Sequence, residues 1–251
     1  MLNLIAHGSI REINLARAPV NALNLALLQA LRAAVDDSVR DGARGIVLSG
    51  APGLFSAGVD IPALLACDRQ GVRTYWKEFF AVCATLARAP IPLVAAVTGH
   101  SPAGGAVLAL FCDYRVMAQG AFKIGLNEVQ VGLSVPECIQ FALRRVVGNH
   151  RAERLLVAGT MLESSAALDC GYVDELADVD QVIARSTSWL EELLSYPQHA
   201  MLATRELARA DLANVYANPE ALPLDGFTEA FFHPETQSVL QQWMAARKKQ
   251  A

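Results

Sequence analysis

The chain has 251 residues, of which 53% are hydrophobic and 18% are charged; its 25 acidic and 21 basic residues leave a net charge of −4. This composition supports a large buried core and excludes a chain that is disordered throughout. It lacks the basic excess of a nucleic-acid-binding protein and the basic face of a membrane-surface protein, so we expect neither kind of partner.

The cysteines and the N-terminus bear on the cellular compartment. The five cysteines are widely spaced and form no C-x-x-C pair, which predicts reduced, mostly buried thiols rather than disulfides or a zinc site. The one long uncharged run, residues 89–112, is interrupted by prolines and glycines, so it does not predict a membrane helix. No charged and apolar leader opens the sequence, and we expect a cytoplasmic protein.

The first half of the chain alternates between strand and helix patterns. Two short β-like runs around Gly8 predict a hairpin, and residues 21–41 place apolar side chains at helical spacing before the stop signal of Gly42. Further strands are predicted at 45–49, 93–97 and 114–118. The run at 93–97 is apolar at every position, as expected for a strand covered on both faces of a parallel sheet. Helices are predicted at 72–88 and from Pro102, with Ser101 as the N-cap.

The second half is predicted to be almost wholly helical. Helical patterns cover 151–158, 179–194, 204–212 and 236–249. Strand–helix alternation followed by helices indicates an α/β fold. We therefore expect a core over residues 1–190 and a C-terminal helical region over residues 191–251.

A near match to the nucleophile elbow of α/β-hydrolases surrounds Ser101, in the segment G-H-S-P-A-G. Asp174 and either His199 or His233 have the chain order needed for its partners. However, the residue after the serine must supply a backbone N–H to the oxyanion hole, and Pro102 has none. The pattern therefore disfavours a serine hydrolase.

Two glycine-rich loops are candidate sources of backbone donors. At the predicted helix start, residues 103–105 carry almost no side chain, so a ligand oxygen can approach N–H groups that have no intrahelical acceptor. The loop at 53–60 also follows a strand and can offer a second donor. The same small residues also suit tight helix–strand packing or an ordinary turn, and neither loop matches a nucleotide-binding motif.

Glu128 is the only acidic residue in the otherwise apolar stretch 124–133. A desolvated carboxylate has a raised pKa and can act as a general base; an exposed or helix-capping glutamate fits the same pattern. The five histidines are scattered and H-E-x-x-H is absent, so no metal site is predicted.

Taken in order, three segments resemble the crotonase (enoyl-CoA hydratase/isomerase) superfamily. They are F-S-A-G-V-D at 55–60, S-P-A-G-G-A at 101–106 and G-L-N-E-V-Q-V-G at 125–132. The last segment is most similar to the mitochondrial-type Δ3,Δ2-enoyl-CoA isomerases of that superfamily.

The resemblance implies a fold, a site and an assembly. The fold is a spiral of ββα turns with a C-terminal helical region used for trimerisation, so a homotrimer or a dimer of trimers is expected. Six apolar residues of that region, expected to be exposed, support this assembly: Phe227, Phe231, Phe232, Val239, Leu240 and Trp243.

The resemblance also assigns roles to individual residues. It implies an oxyanion hole made by the backbone N–H groups of Val59 and Gly104, and Glu128 as the catalytic acid–base. Ala57, Asp60 and Ile61 are then expected to contact the acyl-CoA substrate. No metal or other cofactor is implied, because CoA is part of the substrate.

Three departures from the superfamily refine the expected activity. Val107 stands where hydratases of this superfamily have a second glutamate. Pro136 stands near the position at which hydratases have a glycine, whose N–H helps to hold the attacking water. Pro62 replaces a lysine found in many relatives, which leaves the contacts to the CoA phosphates open. We therefore expect an enoyl-CoA isomerase of fatty acid β-oxidation that converts 3-enoyl-CoA into (2E)-enoyl-CoA. Glu137, in the same loop region, is the candidate to assist or replace Glu128.

The alternatives are an enoyl-CoA hydratase, another crotonase-type acyl-CoA lyase or hydrolase, and a non-catalytic acyl-CoA-binding protein.

Overall fold

The computed structural model describes residues 1–218 and 222–248. Ten strands in these ranges form two sheets. The six-stranded sheet has the spatial order β1 (Leu2–His7), β2 (Ile10–Leu15), β3 (Gly45–Ser49), β5 (Leu93–Val97), β7 (Tyr114–Ala118) and β10 (Glu175–Ala177). The four-stranded sheet has the order β4 (Gly53–Leu54), β6 (Gly99–Pro102), β8 (Lys123–Gly125) and β9 (Leu162–Glu163). The β1–β2 and β8–β9 pairs are antiparallel and the other pairs are parallel.

Helices cover both sheets. The helices that start before residue 150 are α1 (Leu25–Arg40), α2 (Ile61–Leu65), α3 (Arg69–Arg88), α4 (Gly104–Leu110), a 3₁₀ helix (Glu128–Val131), α5 (Glu137–Val147) and α6 (Asn149–Ala158). They are followed by α7 (Ser164–Asp169), α8 (Val182–Leu194), α9 (Gln198–Ala208), α10 (Ala210–Asn214), α11 (Leu224–Phe231) and α12 (Pro234–Lys248). None of the helices in the described ranges is both long enough and apolar enough to cross a membrane.

The chain repeats a strand–strand–helix unit. A strand of the six-stranded sheet, β3, β5 or β7, is followed in each repeat by a short strand of the other sheet, β4, β6 or β8, and then by helix. Because β4, β6 and β8 run parallel, their carboxyl ends meet at one edge. The loops that leave these ends therefore lie side by side.

The central strands are buried as their sequences predict. All five residues of β3 and of β5 are buried. Val47 and Val94 pack with Leu190 and Leu194 of α8 on one face, while alternate strand residues join the core formed by α1 and α3 on the other. The strands predicted at 45–49, 93–97 and 114–118 are confirmed. The run at 93–97 is apolar at every position, which suits a strand that is covered on both faces.

The predicted helix start at Pro102 is wrong. Ser101 and Pro102 end strand β6, and α4 begins at Gly104 after Ala103, whose backbone has φ +47° and ψ −118°. Ser101 does not cap the helix, and its buried hydroxyl has no hydrogen-bond partner in the described residues. A Ser-Pro pair is a common helix start, but here the pairing of β6 with β8 holds both residues in the sheet.

The C-terminal half also differs from expectation. Strands β9 and β10 interrupt a region predicted to be helical, and the expected domain boundary at residue 190 falls inside α8, which packs on the sheet. The predicted last helix, 236–249, corresponds to α12, although residue 249 lies outside the described residues.

The six C-terminal apolar residues are not an exposed surface, so this support for a trimer was wrong. Phe227, Phe231 and Leu240 are buried, and Phe232, Val239 and Trp243 are partly buried. All but Val239 belong to or pack against the core of their own chain. The expected trimer now depends on the resemblance alone.

Candidate active site

A cavity of about 240 Å³ opens where the loops that follow strands β4, β6 and β8 meet. It is lined by Ala57, Val59, Ile61, Trp76, Phe79, Phe80, Pro102, Ala103, Gly104, Val107, Asn127, Glu128, Val131, Leu133, Pro136, Ile139, Phe227 and Trp243. The cavity thus brings together all three segments that carry the resemblance. Its walls are mostly apolar, and Glu128 is the only acidic residue among those that line it.

Val59 and Gly104, the two residues expected to supply backbone donors, both line the cavity. Gly58 and Asp60, on either side of Val59, donate to Ser56 Oγ (3.1 Å) and to the Leu23 carbonyl (3.2 Å). Val59 N–H has no such partner among the described residues. Gly104 is the first residue of α4, so no preceding turn accepts from its N–H. Both groups are therefore free to bind a ligand oxygen.

Close approach of the two loops requires a glycine at position 58. Gly58 has φ +80°, and a Cβ built on it would lie 2.9 Å from the Pro102 carbonyl oxygen and 3.1 Å from Gly104 N. Any larger residue would push the loops apart.

Ala103 holds a backbone conformation that is unfavourable for a residue with a side chain. Its N–H donates to the Gly125 carbonyl at 2.8 Å, which ties the start of α4 to the segment that carries Glu128. Such strain is common where a backbone group must be aimed at a ligand.

Glu128 opens the 3₁₀ helix and its side chain is half-buried. Its Oε2 is shielded from solvent and has no hydrogen-bond partner in the described residues. Burial raises the pKa of this carboxyl from 4.5 to about 7, only partly offset by its own backbone N–H. At neutral pH the group is therefore divided between carboxylate and acid, and it can accept or donate a proton.

The far wall of the cavity is aromatic. Trp76, Phe79 and Phe80 of α3 meet Phe227 of α11, with the Trp76 and Phe227 rings edge-to-face at 4.5 Å. These apolar side chains suit a hydrocarbon chain.

Ion pairs on the outer surface also join α11 to α3. Arg73 Nε lies 2.7 Å from Asp225 Oδ1, and Arg69 pairs with Glu229. The wall therefore depends on contacts between residues more than 140 positions apart in the chain.

Of the three residues expected to contact acyl-CoA, two line the cavity and one does not. Ala57 and Ile61 line the cavity, whereas Asp60 does not: its carboxylate caps α2 through Ala63 N–H (3.0 Å) and pairs with Arg17 (2.8 Å). Its side chain is therefore already occupied by structural contacts.

Three further residues bear on the expected chemistry. Val107 and Pro136 both line the cavity, whereas Glu137 is exposed in the first turn of α5 and is not among the lining residues. A carboxylate at position 137 is thus placed outside the cavity, where it has no direct route to a ligand bound beside Glu128.

Several features of the site were not predicted from the sequence. The aromatic wall needs the packing of α11 on α3, which no local pattern reports. Asn127 was noticed only as part of the resemblance, yet it is one of the residues that line the cavity. Within the described residues no group of three potential metal ligands occurs.

The chain matches the enoyl-CoA hydratase/isomerase family over residues 6–250. It therefore belongs to this enzyme family. The resemblance and the expected α/β fold are confirmed, while the use of the C-terminal region for trimerisation stays a prediction.

Individual relatives carry two different activities in their names. The mitochondrial enoyl-CoA delta isomerase 1 of Mus musculus is 32% identical over 245 residues, which cover 96% of this chain and 85% of that protein. A probable enoyl-CoA hydratase of Mycobacterium tuberculosis is 31% identical over 203 residues, 80% of this chain and 76% of its own length. The crystal structure of human mitochondrial Δ3,Δ2-enoyl-CoA isomerase superposes with a TM-score of 0.94 at 28% identity, covering 99% of this chain and 98% of that one.

Proposed function

We propose that this protein is an enoyl-CoA isomerase that converts a 3-enoyl-CoA into the (2E)-enoyl-CoA in fatty acid breakdown. The observation that carries the proposal is that Glu128 is the only acidic residue among those that line the cavity, with a pKa raised to about 7. The similarity to named enoyl-CoA isomerases supports the same activity.

In the proposed reaction one proton moves between two carbon atoms. The Glu128 carboxylate removes a proton from C2, and the electron pair released forms a dienolate whose negative charge rests mainly on the thioester oxygen. Glu128, now protonated, returns the proton to C4, and the double bond moves from C3–C4 to C2–C3. A pKa near neutrality suits both halves of this cycle.

The backbone N–H groups of Val59 and Gly104 are proposed to bind the thioester oxygen. Donors fixed in place before the reaction stabilise the developing oxyanion, and one such donor typically contributes about 3–4 kcal/mol to the transition state. Ala57 and Ile61 are proposed contacts of the CoA moiety, through their place at the cavity wall; for Asp60 only the backbone remains available. The reaction transfers only a proton, so we propose that no metal or redox cofactor takes part and that CoA enters with the substrate.

Hydration of a 2-enoyl-CoA is the second candidate, since a relative is named as a probable hydratase. Hydration requires a water molecule that is held and activated beside C3. Val107 and Pro136 occupy the cavity wall at the positions where hydratases are expected to do this, and neither has a group that can activate or orient water. The isomerase is therefore favoured.

The proposal is tested by incubating the protein with 3-hexenoyl-CoA in D₂O and following the conjugated product by ultraviolet absorption and mass spectrometry. Wild type should form the conjugated thioester, and Glu128→Gln should lose at least 10²–10⁴-fold in rate, the range typical of general acid–base catalysis. Glu137→Gln is the matched control, because Glu137 lies outside the cavity.

Each alternative gives a different result. A protein that only binds acyl-CoA would bind 3-hexenoyl-CoA with no product and no exchange at C2. Loss of activity in Glu137→Gln rather than Glu128→Gln would assign the base to Glu137.

Assembly as a homotrimer or a dimer of trimers is a further proposal, which a monodisperse monomer in light scattering at micromolar concentration would contradict. The cytoplasmic location likewise stays a prediction, since the mouse and human relatives are named as mitochondrial.

A further inference from the structure

Asn127 occupies the position just before the 3₁₀ helix that carries Glu128. Asparagine at such an N-cap usually accepts a hydrogen bond from the backbone of the next turn, but here the side chain makes no capping bond. Asn127 is also one of the residues that line the cavity. The local structure therefore leaves its amide unused.

The Asn127 amide is also unpaired elsewhere. Its side chain is half-buried and hydrogen-bonds to no residue in ranges 1–218 and 222–248. Among the lining residues only Asn127 and Glu128 have oxygen in their side chains. In the empty cavity water can solvate the amide.

Binding of an acyl chain changes this balance. The chain displaces water, and a hydrocarbon offers the amide no hydrogen bond, so an unpaired amide would oppose binding. Glu128 Oε2 has the complementary deficiency, since this acceptor is shielded from solvent without a partner. The side-chain NH₂ of Asn127 can donate a hydrogen bond that it does not make in this structure, and Glu128 follows Asn127 directly in the chain.

We propose that Asn127 is a positioning residue: when acyl-CoA fills the cavity, its side-chain NH₂ donates a hydrogen bond to Glu128 Oε2. This leaves Oε1 to carry the proton from C2 to C4, and it keeps water away from the carboxyl group during the transfer. The inference rests on the proposed isomerase function, because it assigns a partner to the proposed base.

The test compares Asn127→Leu, which keeps a similar volume without polar groups, with wild type. The bond forms only in the substrate complex and favours the carboxylate over the acid. Its loss should raise the pKa that governs kcat by about one pH unit, the effect of one hydrogen bond to a charged group. The pH midpoint of kcat/KM, which reports the free enzyme, should stay unchanged.

A second readout follows the proton itself. Asn127→Ala removes the amide and also leaves room for water beside Glu128, so the proton taken from C2 exchanges with solvent before it reaches C4. In D₂O, Asn127→Ala should therefore place more deuterium at C4 per turnover than wild type, and the kcat of both Asn127 variants should fall about tenfold.

Gln130→Leu is the control for a loosened 3₁₀ helix. Gln130 lies in the same helix, but its amide donates to the Gly159 carbonyl at 2.9 Å outside the cavity. If Gln130→Leu reproduced both effects, or if Asn127→Leu changed only KM, the proposed bond to Glu128 would be wrong. A wild-type protein without isomerase activity would instead refute the proposed function, which separates the two failures.

Discussion

Replacing Glu128 by glutamine should stabilise the folded protein, and by more at alkaline pH. Burial raises the pKa of this carboxyl from 4.5 to about 7, so the folded state holds the proton more tightly than the unfolded chain. Between these two values the folded state binds more protons, and stability falls as pH rises. The loss is absent well below pH 4.5 and complete above pH 7, where it amounts to about 3 kcal/mol.

The substitution removes this penalty, because glutamine does not ionise. Between pH 5.5 and 8.5 the stability advantage of Glu128→Gln over wild type should grow by about 2 kcal/mol, or about 4–8 °C in Tm for a domain of this size. Urea or thermal unfolding at the two pH values measures it. Glu137→Gln serves as the control, since an exposed carboxylate carries no burial penalty to remove. A variant that is less stable than wild type at pH 8.5, or an advantage that does not depend on pH, would refute the burial argument.

Three further predictions concern catalysis and the core. Gly104→Pro removes the proposed oxyanion donor and should lower kcat by about 10²–10³-fold, whereas Val59→Ala, which keeps the N–H, should retain most of it. Gly104→Ala is the packing control: it keeps the N–H but places a Cβ 3.0 Å from Leu23 Cδ1 and 3.3 Å from Phe79 Cε2, so it should lose less activity than Gly104→Pro, and equal losses in the two variants would point to packing. The kcat/KM of wild type should rise with pH and reach half of its maximum near pH 7, because Glu128 must be ionised to act as base; a midpoint near pH 4.5 would contradict the burial of its carboxyl group. Asp113→Ala should destabilise the fold by about 3–5 kcal/mol in urea unfolding, since it leaves the buried Arg209 and the partly buried Arg205 guanidinium groups, now 2.8–3.2 Å from its carboxylate, without their counter-charge; a change below about 1 kcal/mol would show that water compensates them.

The sequence predicted best what depends on local pattern. The strands at 45–49, 93–97 and 114–118 coincide with β3, β5 and β7, because each is a short and mostly apolar segment between turn signals; in β7 the run is interrupted only by Arg115. Strands β4 and β9 have two residues each, too few for any period to be recognised. They form only because neighbouring strands offer backbone partners.

In the site, too, the features set by local sequence were predicted and those set by long-range contacts were not. The three segments that line the cavity were identified by motif, and their meeting follows from the parallel order of β4, β6 and β8. The misplaced helix start arose because Ser101 and Pro102 match a local signal that β-pairing overrides. The contact of Trp76 with Phe227 joins distant helices, so no spacing within either one reports it.

The most direct test of the central claim is the ratio of two rates measured on the same wild-type preparation. One assay follows isomerisation of 3-hexenoyl-CoA to the conjugated thioester, and the other follows hydration of 2-hexenoyl-CoA through loss of conjugation. With Val107 and Pro136 in the cavity wall, isomerisation should exceed hydration by a wide margin. Hydration faster than isomerisation would contradict the isomerase and assign the site to a hydratase.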